Sequence, residues 1–221
     1  MSGGPGGAGR EPAGEKARRR PLLVTAIPLV ALVGLLAWVG INSLKTDAGS
    51  SRGPRAGTQM PPFAAPLAVS GPDSDVNVAT RSGEGAAGSR PACDVRGPGI
   101  LNSCDLVARR PVALSFVAAG DRRCADGFDS LAAAARGTGV TPAAVIVRGT
   151  RSSARQMAAG RGWTGPVGWD RDGVLANLYG VAVCPQVVYL RRGGVVEQVR
   201  LGSASRQQLR ADLAALARSG G

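Results

Sequence analysis

The sequence predicts an α/β domain in which helices flank a central mixed sheet, preceded by one transmembrane helix. Three observations predict this fold class. A run of 20 residues near the N-terminus is apolar and carries no charge. Strand-like and helix-like segments alternate through the rest of the chain, which is typical of layered α/β domains. A Gly-Gly hairpin signal then joins two further strands before a last helix.

The apolar run predicts that residues 21–44 form a transmembrane anchor. The 20 residues from Leu22 to Ile41, at about 1.5 Å per residue, cover the ~30 Å hydrocarbon core of a bilayer. Lys and Arg are concentrated just before this run, so we expect the N-terminus in the cytoplasm and the C-terminal domain outside the cell membrane. A cleaved signal peptide is the alternative, but its apolar region would extend over only about 7–15 residues.

Composition also sets the remaining domain boundaries. Residues 1–20 are Gly-rich and charged and lack apolar periodicity, so we expect a disordered cytoplasmic tail. Residues 45–58 are rich in Gly, Ser and Arg, which is typical of a flexible linker. Residues 59–219 are long enough to form one folded domain that buries about two-thirds of its unfolded surface.

Within this domain, short apolar runs predict buried strands and helical spacing predicts helices. The segments are expected in this order: a strand at 111–118, a helix from about 128 to 137, a strand at 143–147, a helix at 153–161, a short segment at 166–169, a helical turn at 174–179, strands at 187–190 and 195–201, and a last helix opening with a capping box at Ser205 and Gln208. Because α/β sheets react at the carboxyl ends of their parallel strands, the turn after 111–118 is the expected site.

Composition excludes several kinds of chemistry at that site. The chain has no histidine, which removes Ser-His-Asp and Cys-His catalysis and every zinc site that uses imidazole. The net charge is +12, but the arginines are scattered and only 4% of residues are aromatic, so no nucleic-acid partner is expected. No Cys-x-x-Cys spacing is present, and we expect neither a metal nor a cofactor.

All four cysteines follow the expected anchor, in a compartment that permits disulfides. Four cysteines allow three pairings, and the residues alone leave the choice open. Cys93 and Cys104 enclose a turn-rich segment, and we interpret them as a structural disulfide. Closing so short a loop would stabilise the domain by about 2–3 kcal/mol.

Several motifs in a fixed order resemble a known family. They are Met60-Pro-Pro-Phe63, the turn from Phe116 to Cys124, Asp170-Arg-Asp-Gly173, Leu178-Tyr-Gly-Val181, Cys184-Pro185 and Gly193-Gly194. Together they are similar to the thioredoxin-like superfamily, in the redoxin branch that includes TlpA-like membrane-anchored thiol–disulfide reductases, over residues 59–218. The resemblance implies a thioredoxin-like central mixed sheet with flanking helices, and a cis proline at Pro185 beside the active-site cysteine.

The expected site departs from the family pattern. Family members carry Cys-x-x-Cys at the turn, whereas this chain has Asp121 in place of the first, attacking cysteine and keeps only Cys124. Since the residue before Pro185 lies against the active-site sulfurs in the family, we hypothesise that Cys124 and Cys184 form an unusual redox pair. Cys124 would be the reactive thiol, because it lies near a helix N-terminus and beside two arginines. Cys184 would be its resolving partner.

The sequence leaves three functions open. The first is thiol–disulfide exchange through Cys124 and Cys184 with other extracytoplasmic thiol or disulfide proteins. The second, from another class, is a non-catalytic thioredoxin fold that serves as a binding or scaffold module, which the missing cysteine favours. The third is a peroxiredoxin-like thiol peroxidase, which Asp121 disfavours because a carboxylate near a thiol discourages its ionisation.

Three other conspicuous features are expected to be structural. Trp163 and Trp169 are expected to pack in or beside the core. Asp170 precedes a glycine-containing turn and is expected at a helix start. Tyr179 is expected to pack beneath the segment that contains Pro185.

Overall fold

The computed structural model describes residues 3–4, 30–38, 53–73, 78–79 and 90–219. The chain divides into two compact units, Met1–Ala48 and Gly49–Gly221. In the first unit, residues 30–38 are helical. Within the stretches that the structure describes, every helix is too short or too polar to cross a membrane. The rest of the predicted anchor, and most of the predicted tail, lie outside the described residues.

The second unit contains eight strands and five α-helices among its described residues. In chain order they are β1 (Phe63–Pro66), β2 (Val78–Ala79), a 3-10 helix (Ala92–Asp94), β3 (Ile100–Asn102), α1 (Ser103–Ala108), β4 (Val112–Ala118), α2 (Arg122–Ala135), β5 (Thr141–Val147), α3 (Arg151–Gly160), β6 (Val167–Trp169), α4 (Val174–Leu178), β7 (Gln186–Leu190), β8 (Val196–Leu201) and α5 (Arg206–Ser219).

The main sheet has five strands in the order β6-β5-β4-β7-β8. Strands β4, β5 and β6 are parallel, whereas β7 is antiparallel to both β4 and β8. This is the mixed sheet that the alternating pattern predicts. The central strand β4 is buried from Val112 to Val117. A continuous apolar run of this kind is typical of a strand that is covered on both faces.

Alternate residues of β4 enter two separate cores. On one face, Ala113 and Val117 pack in a cluster with apolar side chains of α2, α3 and α5. On the other face, Val112, Leu114 and Phe116 pack with apolar side chains of β1, α1 and α4. The period-two alternation of a strand thus builds both layers of the domain from one apolar segment.

The predicted order of elements is observed from β4 onwards, with shifted boundaries. The helix predicted from position 128 begins at Arg122, because Asp121 caps its N-terminus and accepts a hydrogen bond from the Cys124 amide at 3.2 Å. At the last helix the predicted capping box is present. The Ser205 amide donates to Gln208 Oε1 at 2.8 Å, and the Gln208 amide donates to Ser205 Oγ at 3.2 Å.

A second, three-stranded antiparallel sheet of order β2-β1-β3 was not predicted. Residues 53–58, which the sequence assigns to the flexible linker, are hydrogen-bonded to the main sheet. The Gly57 amide donates to the Val196 carbonyl at 2.7 Å, and the Val196 amide donates to the Thr58 carbonyl at 2.9 Å. The end of the expected linker is therefore part of the folded unit.

Candidate active site

The turn between β4 and α2 places Cys124 at the carboxyl end of the central strand. β4 ends at Ala118, and Gly120 adopts a left-handed conformation with φ +82° that suits glycine. Asp121 is the N-cap residue of α2. Cys124 therefore lies in the first turn of the helix, and its side chain is only 1% exposed.

Cys184 reaches the same point from the segment that leads into β7. The peptide bond between Cys184 and Pro185 is cis, as the family resemblance implies. The antiparallel pairing of β4 with β7 ends at the pair Phe116 and Gln186. Beyond that pair, the Ala118 amide donates a hydrogen bond to Cys184 Sγ at 3.1 Å. Cys184 Sγ thus adds one more contact between β4 and the segment that leads into β7.

Cys124 and Cys184 are joined in a disulfide, with their Cα atoms 5.4 Å apart although 60 residues separate them in sequence. Cys93 and Cys104 form the other disulfide, with a Cα–Cα distance of 5.5 Å. The structure therefore pairs Cys93 with Cys104 and Cys124 with Cys184, which is one of the three pairings that the sequence leaves open. The catalytic roles of Cys124, Cys184, Pro185 and Asp121 remain predictions.

A cleft of about 550 Å³ opens beside the disulfide, beyond the carboxyl ends of β4, β5 and β6. This volume lies in the roughly 300–1,000 Å³ range of small-molecule sites. Cys184 lines the cleft, together with the charged side chains of Asp121, Arg148, Arg171 and Asp172. Cys124 is not among the lining residues. The two cysteines of one disulfide therefore differ in exposure, since Cys124 is buried and Cys184 is half-buried.

Arg148, at the rim of this cleft, has a strained backbone. Its φ of +60° makes it the only residue other than glycine with a positive φ among the described residues. Such conformations cost about 1–3 kcal/mol and are concentrated at functional sites. Arg148 was not predicted as a site residue. Its position directly after a buried strand is the only feature of the sequence that indicates one.

Asp170 forms another wall of the cleft, and its role is structural. The side chain is buried, and its carboxylate accepts hydrogen bonds from the amides of Leu175 at 3.2 Å and Ala176 at 2.9 Å. Burial raises the pKa of Asp170, and these hydrogen bonds offset part of that rise. The carboxylate thus begins α4, as the sequence predicted. Among the described residues, no group of three or more His, Cys, Asp or Glu is placed to hold a metal ion.

The disulfide is supported on one side by a close contact between α2 and Pro185. A Cβ atom built on Gly127 would lie 2.8 Å from Pro185 Cγ. Only glycine lets the helix approach the proline this closely. Sequence reasoning missed Gly127, because it lies just before the predicted helix; in the structure the helix begins earlier, at Arg122, and Gly127 is in its interior.

On the other side, Tyr179 connects the Pro185 segment to the N-terminal part of the domain. The Tyr179 hydroxyl donates to the Pro61 carbonyl at 2.7 Å, and Gln186 Nε2 donates to the Tyr179 carbonyl at 2.9 Å. The Tyr179 ring packs edge-on against Phe63, with ring centroids 5.8 Å apart. Tyr179 is fully buried, which raises its pKa. The Met-Pro-Pro-Phe motif therefore helps to fix the strand that follows Cys184.

The two tryptophans noted in the sequence also have structural roles. Trp169 is 6% exposed, and the Arg151 guanidinium lies 5.3 Å from its ring centroid. Trp163 packs edge-on against Phe128, and its Nε1 donates to Asp129 Oδ1 at 2.6 Å. Both side chains stabilise the helices beside β5 and β6.

Comparison with solved structures identifies the fold. A protein assigned as the thiol:disulfide interchange protein DsbE of Chlorobium tepidum is 20% identical, with a TM-score of 0.55 over 74% of this chain and 98% of that chain. A thiol:disulfide interchange protein of the thioredoxin family from Chlorobium tepidum TLS is 12% identical, with a TM-score of 0.50 over 74% and 99% of the two chains. No protein-family model matches the sequence, and neither does any curated protein.

The chain has the thioredoxin-like fold, which is the fold that the resemblance implies. A protein assigned as a protein disulfide isomerase of Bacteroides thetaiotaomicron shares it, with 15% identity and a TM-score of 0.50 over 76% of this chain and 91% of that chain. At these identities the likeness establishes the fold. The chain therefore combines the thioredoxin-like fold with a disulfide that joins α2 to the cis-proline segment.

Proposed function

We propose that this chain is a membrane-anchored thiol–disulfide oxidoreductase that acts outside the cytoplasmic membrane through Cys124 and Cys184. One observation carries the proposal. The disulfide lies at the carboxyl end of the parallel strands, where α/β sheets place their reactive groups, and Cys184 lines an open cleft there. A purely structural disulfide would not need a cleft beside one of its cysteines.

Thiol–disulfide exchange requires two cysteines in the protein that can form and break one disulfide bond with each other. A thiolate attacks one sulfur of a disulfide, a mixed disulfide forms, and a second thiolate resolves it. Asp121 occupies the position of the usual attacking cysteine, so a neighbouring thiol in the same turn is missing. Cys184 supplies the second sulfur from the cis-proline segment. The partners would be extracytoplasmic thiol or disulfide proteins, in keeping with the thiol:disulfide interchange proteins that share the fold.

The anchor and its orientation are supported by charge and exposure. Apolar side chains are exposed along the helix at 30–38, among them Val30 at 69%, Leu36 at 61% and Trp38 at 64%. Exposed side chains of this size are favourable in lipid but not in water. We expect alkaline phosphatase fused after residue 219 to be active in cells, because this reporter folds only outside the cytoplasm. An inactive fusion that is nevertheless produced in full length would contradict the orientation.

The proposed activity is tested by insulin reduction with the full chain in mild detergent and dithiothreitol as the electron source. We expect wild type to accelerate insulin precipitation, and Cys124→Ser and Cys184→Ser each to fall to the background of dithiothreitol alone. The matched control is the double variant Cys93→Ser/Cys104→Ser, which removes the other disulfide and should retain the activity. Circular dichroism establishes that each variant is folded.

The other outcomes of this assay identify the alternative functions. Equal rates for wild type and both single-cysteine variants would contradict the proposed oxidoreductase activity and favour a non-catalytic binding or scaffold module. Hydrogen peroxide consumption that depends on Cys124, without insulin reduction, would favour the thiol peroxidase.

A further inference from the structure

We propose that Cys184, not Cys124, carries the mixed disulfide with the substrate, and that Cys124 is the resolving thiol. This inference rests on the proposed function and reverses the roles that the sequence predicts. The argument depends on the accessibility of each sulfur and on the hydrogen bond that Cys184 accepts.

Accessibility separates the two cysteines. Cys124 is 1% exposed and belongs to the buried cluster that contains Val117 and Phe128. Cys184 is half-buried and lines the cleft. Exchange requires a thiolate from the partner to reach the sulfur that it attacks, so access decides which sulfur reacts first. A partner in the cleft reaches Cys184 without displacing the helix that covers Cys124.

A fixed backbone donor is available to a thiolate at Cys184. The Ala118 amide donates to Cys184 Sγ at 3.1 Å, and a fixed backbone donor of this kind stabilises a negative charge on sulfur after reduction. The donor is held by β4, which is buried on both faces, so it stays in position when the disulfide opens. Cys124 lies at the N-terminus of α2, which favours a thiolate, but it is buried within the apolar cluster, whereas Cys184 is only packed against that cluster.

The reaction can be written with its electrons and protons balanced. In the reducing direction, the Cys184 thiolate attacks a substrate disulfide. A bond forms between Cys184 Sγ and one substrate sulfur, and the other substrate sulfur leaves as a thiolate and takes a proton. The Cys124 thiolate then attacks Cys184 Sγ, which restores the disulfide of the structure and releases the second substrate thiol. Two electrons pass to the substrate, and the oxidising direction retraces the same steps through the same mixed disulfide.

The test uses the oxidised full chain, with glutathione as the attacking thiol. After short incubation the reaction is quenched with acid, free thiols are alkylated, and tryptic peptides are analysed by mass spectrometry. Trypsin cuts after Arg and Lys, so Cys124 lies in the peptide 124–136 and Cys184 in the peptide 172–191. We expect at least about tenfold more glutathione adduct on Cys184, with Cys124 alkylated in the same molecules.

Each result has a distinct meaning. Adduct mainly on Cys124 would overturn the proposed order of attack and leave thiol–disulfide exchange intact. No adduct on either cysteine, under conditions that reduce a control protein disulfide, would overturn both the order and the proposed function.

Single-cysteine variants give an independent readout. In Cys124→Ala the remaining Cys184 thiol should react at least about tenfold faster with an aromatic disulfide reagent than the Cys124 thiol of Cys184→Ala. In urea the two rates should converge, because unfolding exposes both thiols. Equal or reversed rates in the folded proteins would contradict the inference.

Discussion

Gly127 and Pro185 face each other across the redox site, so closely that a methyl group on Gly127 would lie 2.8 Å from Pro185 Cγ. Helix α2 carries Cys124 three residues before this glycine, and the cis-proline segment carries Cys184 directly before this proline. The contact therefore sets the distance between the two elements that hold the sulfurs. It accounts for the proximity of two cysteines that are 60 residues apart in sequence.

Gly127→Ala should weaken this arrangement. Forcing a methyl group into a tight contact costs about 1–3 kcal/mol, which outweighs the gain of up to about 1 kcal/mol from replacing glycine in a helix. We expect a lower free energy of unfolding in urea and slower re-formation of the Cys124–Cys184 disulfide. The matched control is Gly160→Ala, since Gly160 lies in α3 with nothing within 4 Å of an added Cβ. Identical behaviour of the two variants would contradict the role of Gly127.

Asp121 combines a helix cap with a negative charge in the cleft, and two substitutions separate these roles. Asp121→Asn keeps an acceptor for the Cys124 amide, whereas Asp121→Ala removes it and should cost about 1 kcal/mol. Without the carboxylate, the approach of an anionic thiolate is less repelled. We expect Asp121→Asn to react with glutathione faster than wild type at low salt. The difference should fade at 1 M salt, where the Debye length is about 3 Å. A rate unaffected by salt would contradict an electrostatic effect.

The Arg200–Asp212 pair predicts a pH-dependent stability. Arg200 donates to both carboxylate oxygens, at 2.6 and 2.8 Å. Burial would raise the pKa of Asp212, but the hydrogen bonds and the charge of Arg200 outweigh it and hold the pKa below its usual value. A carboxyl group with a lowered folded pKa stabilises the protein above its unfolded pKa of about 3.9, and this stability is lost as the pH falls through the folded value.

Arg200→Met should therefore cost about 1–2 kcal/mol at pH 7, and the difference from wild type should shrink as the pH falls below about 4. Urea unfolding across this pH range measures it. The control is Arg96→Met, because the Arg96–Asp105 pair is more than half exposed on both sides and should contribute little. A loss for Arg200→Met that is independent of pH would contradict the assignment.

Asn102 holds the segment of the second disulfide. Its side chain accepts from the amides of Cys104 at 2.9 Å and Asp105 at 3.2 Å, and it donates to the carbonyls of Ala92 and Val95, both at 2.9 Å. Asn102→Ala should cost about 2–4 kcal/mol, since it removes a helix cap and two hydrogen bonds to the buried segment at Ala92 and Val95. Urea unfolding tests the stability. Glutathione exchange at Cys184 should be unchanged, because Asn102 lies outside the redox site.

Local sequence patterns were sufficient for the main sheet. The apolar runs around Phe116 and Val145 identify the two central strands. Each strand is buried on both faces, and its sequence is therefore continuously hydrophobic. The last helix is identified by the reciprocal hydrogen bonds of Ser205 and Gln208. The partnership of Cys124 with Cys184 could be proposed only through the family resemblance, because no local pattern relates residues 60 positions apart.

Features that depend on tertiary contacts were missed. The short strands of the second sheet have too few residues to show a period, and their pairing, for example of Ala64 with Asn102, joins distant positions. The unequal exposure of Cys124 and Cys184 could not be predicted either. Proximity to a helix N-terminus favoured Cys124 as the reactive thiol, but packing of α2 on the sheet buries it.

The most direct test of a reversible Cys124–Cys184 pair is a redox titration of the folded full chain with mixtures of reduced and oxidised dithiothreitol. Alkylation and peptide mapping at each ratio would follow every cysteine. We expect the thiols of Cys124 and Cys184 to appear together in one two-electron transition without unfolding, and to disappear when a substrate disulfide is added. A bond between these cysteines that opens only after the chain is unfolded in urea would contradict the account.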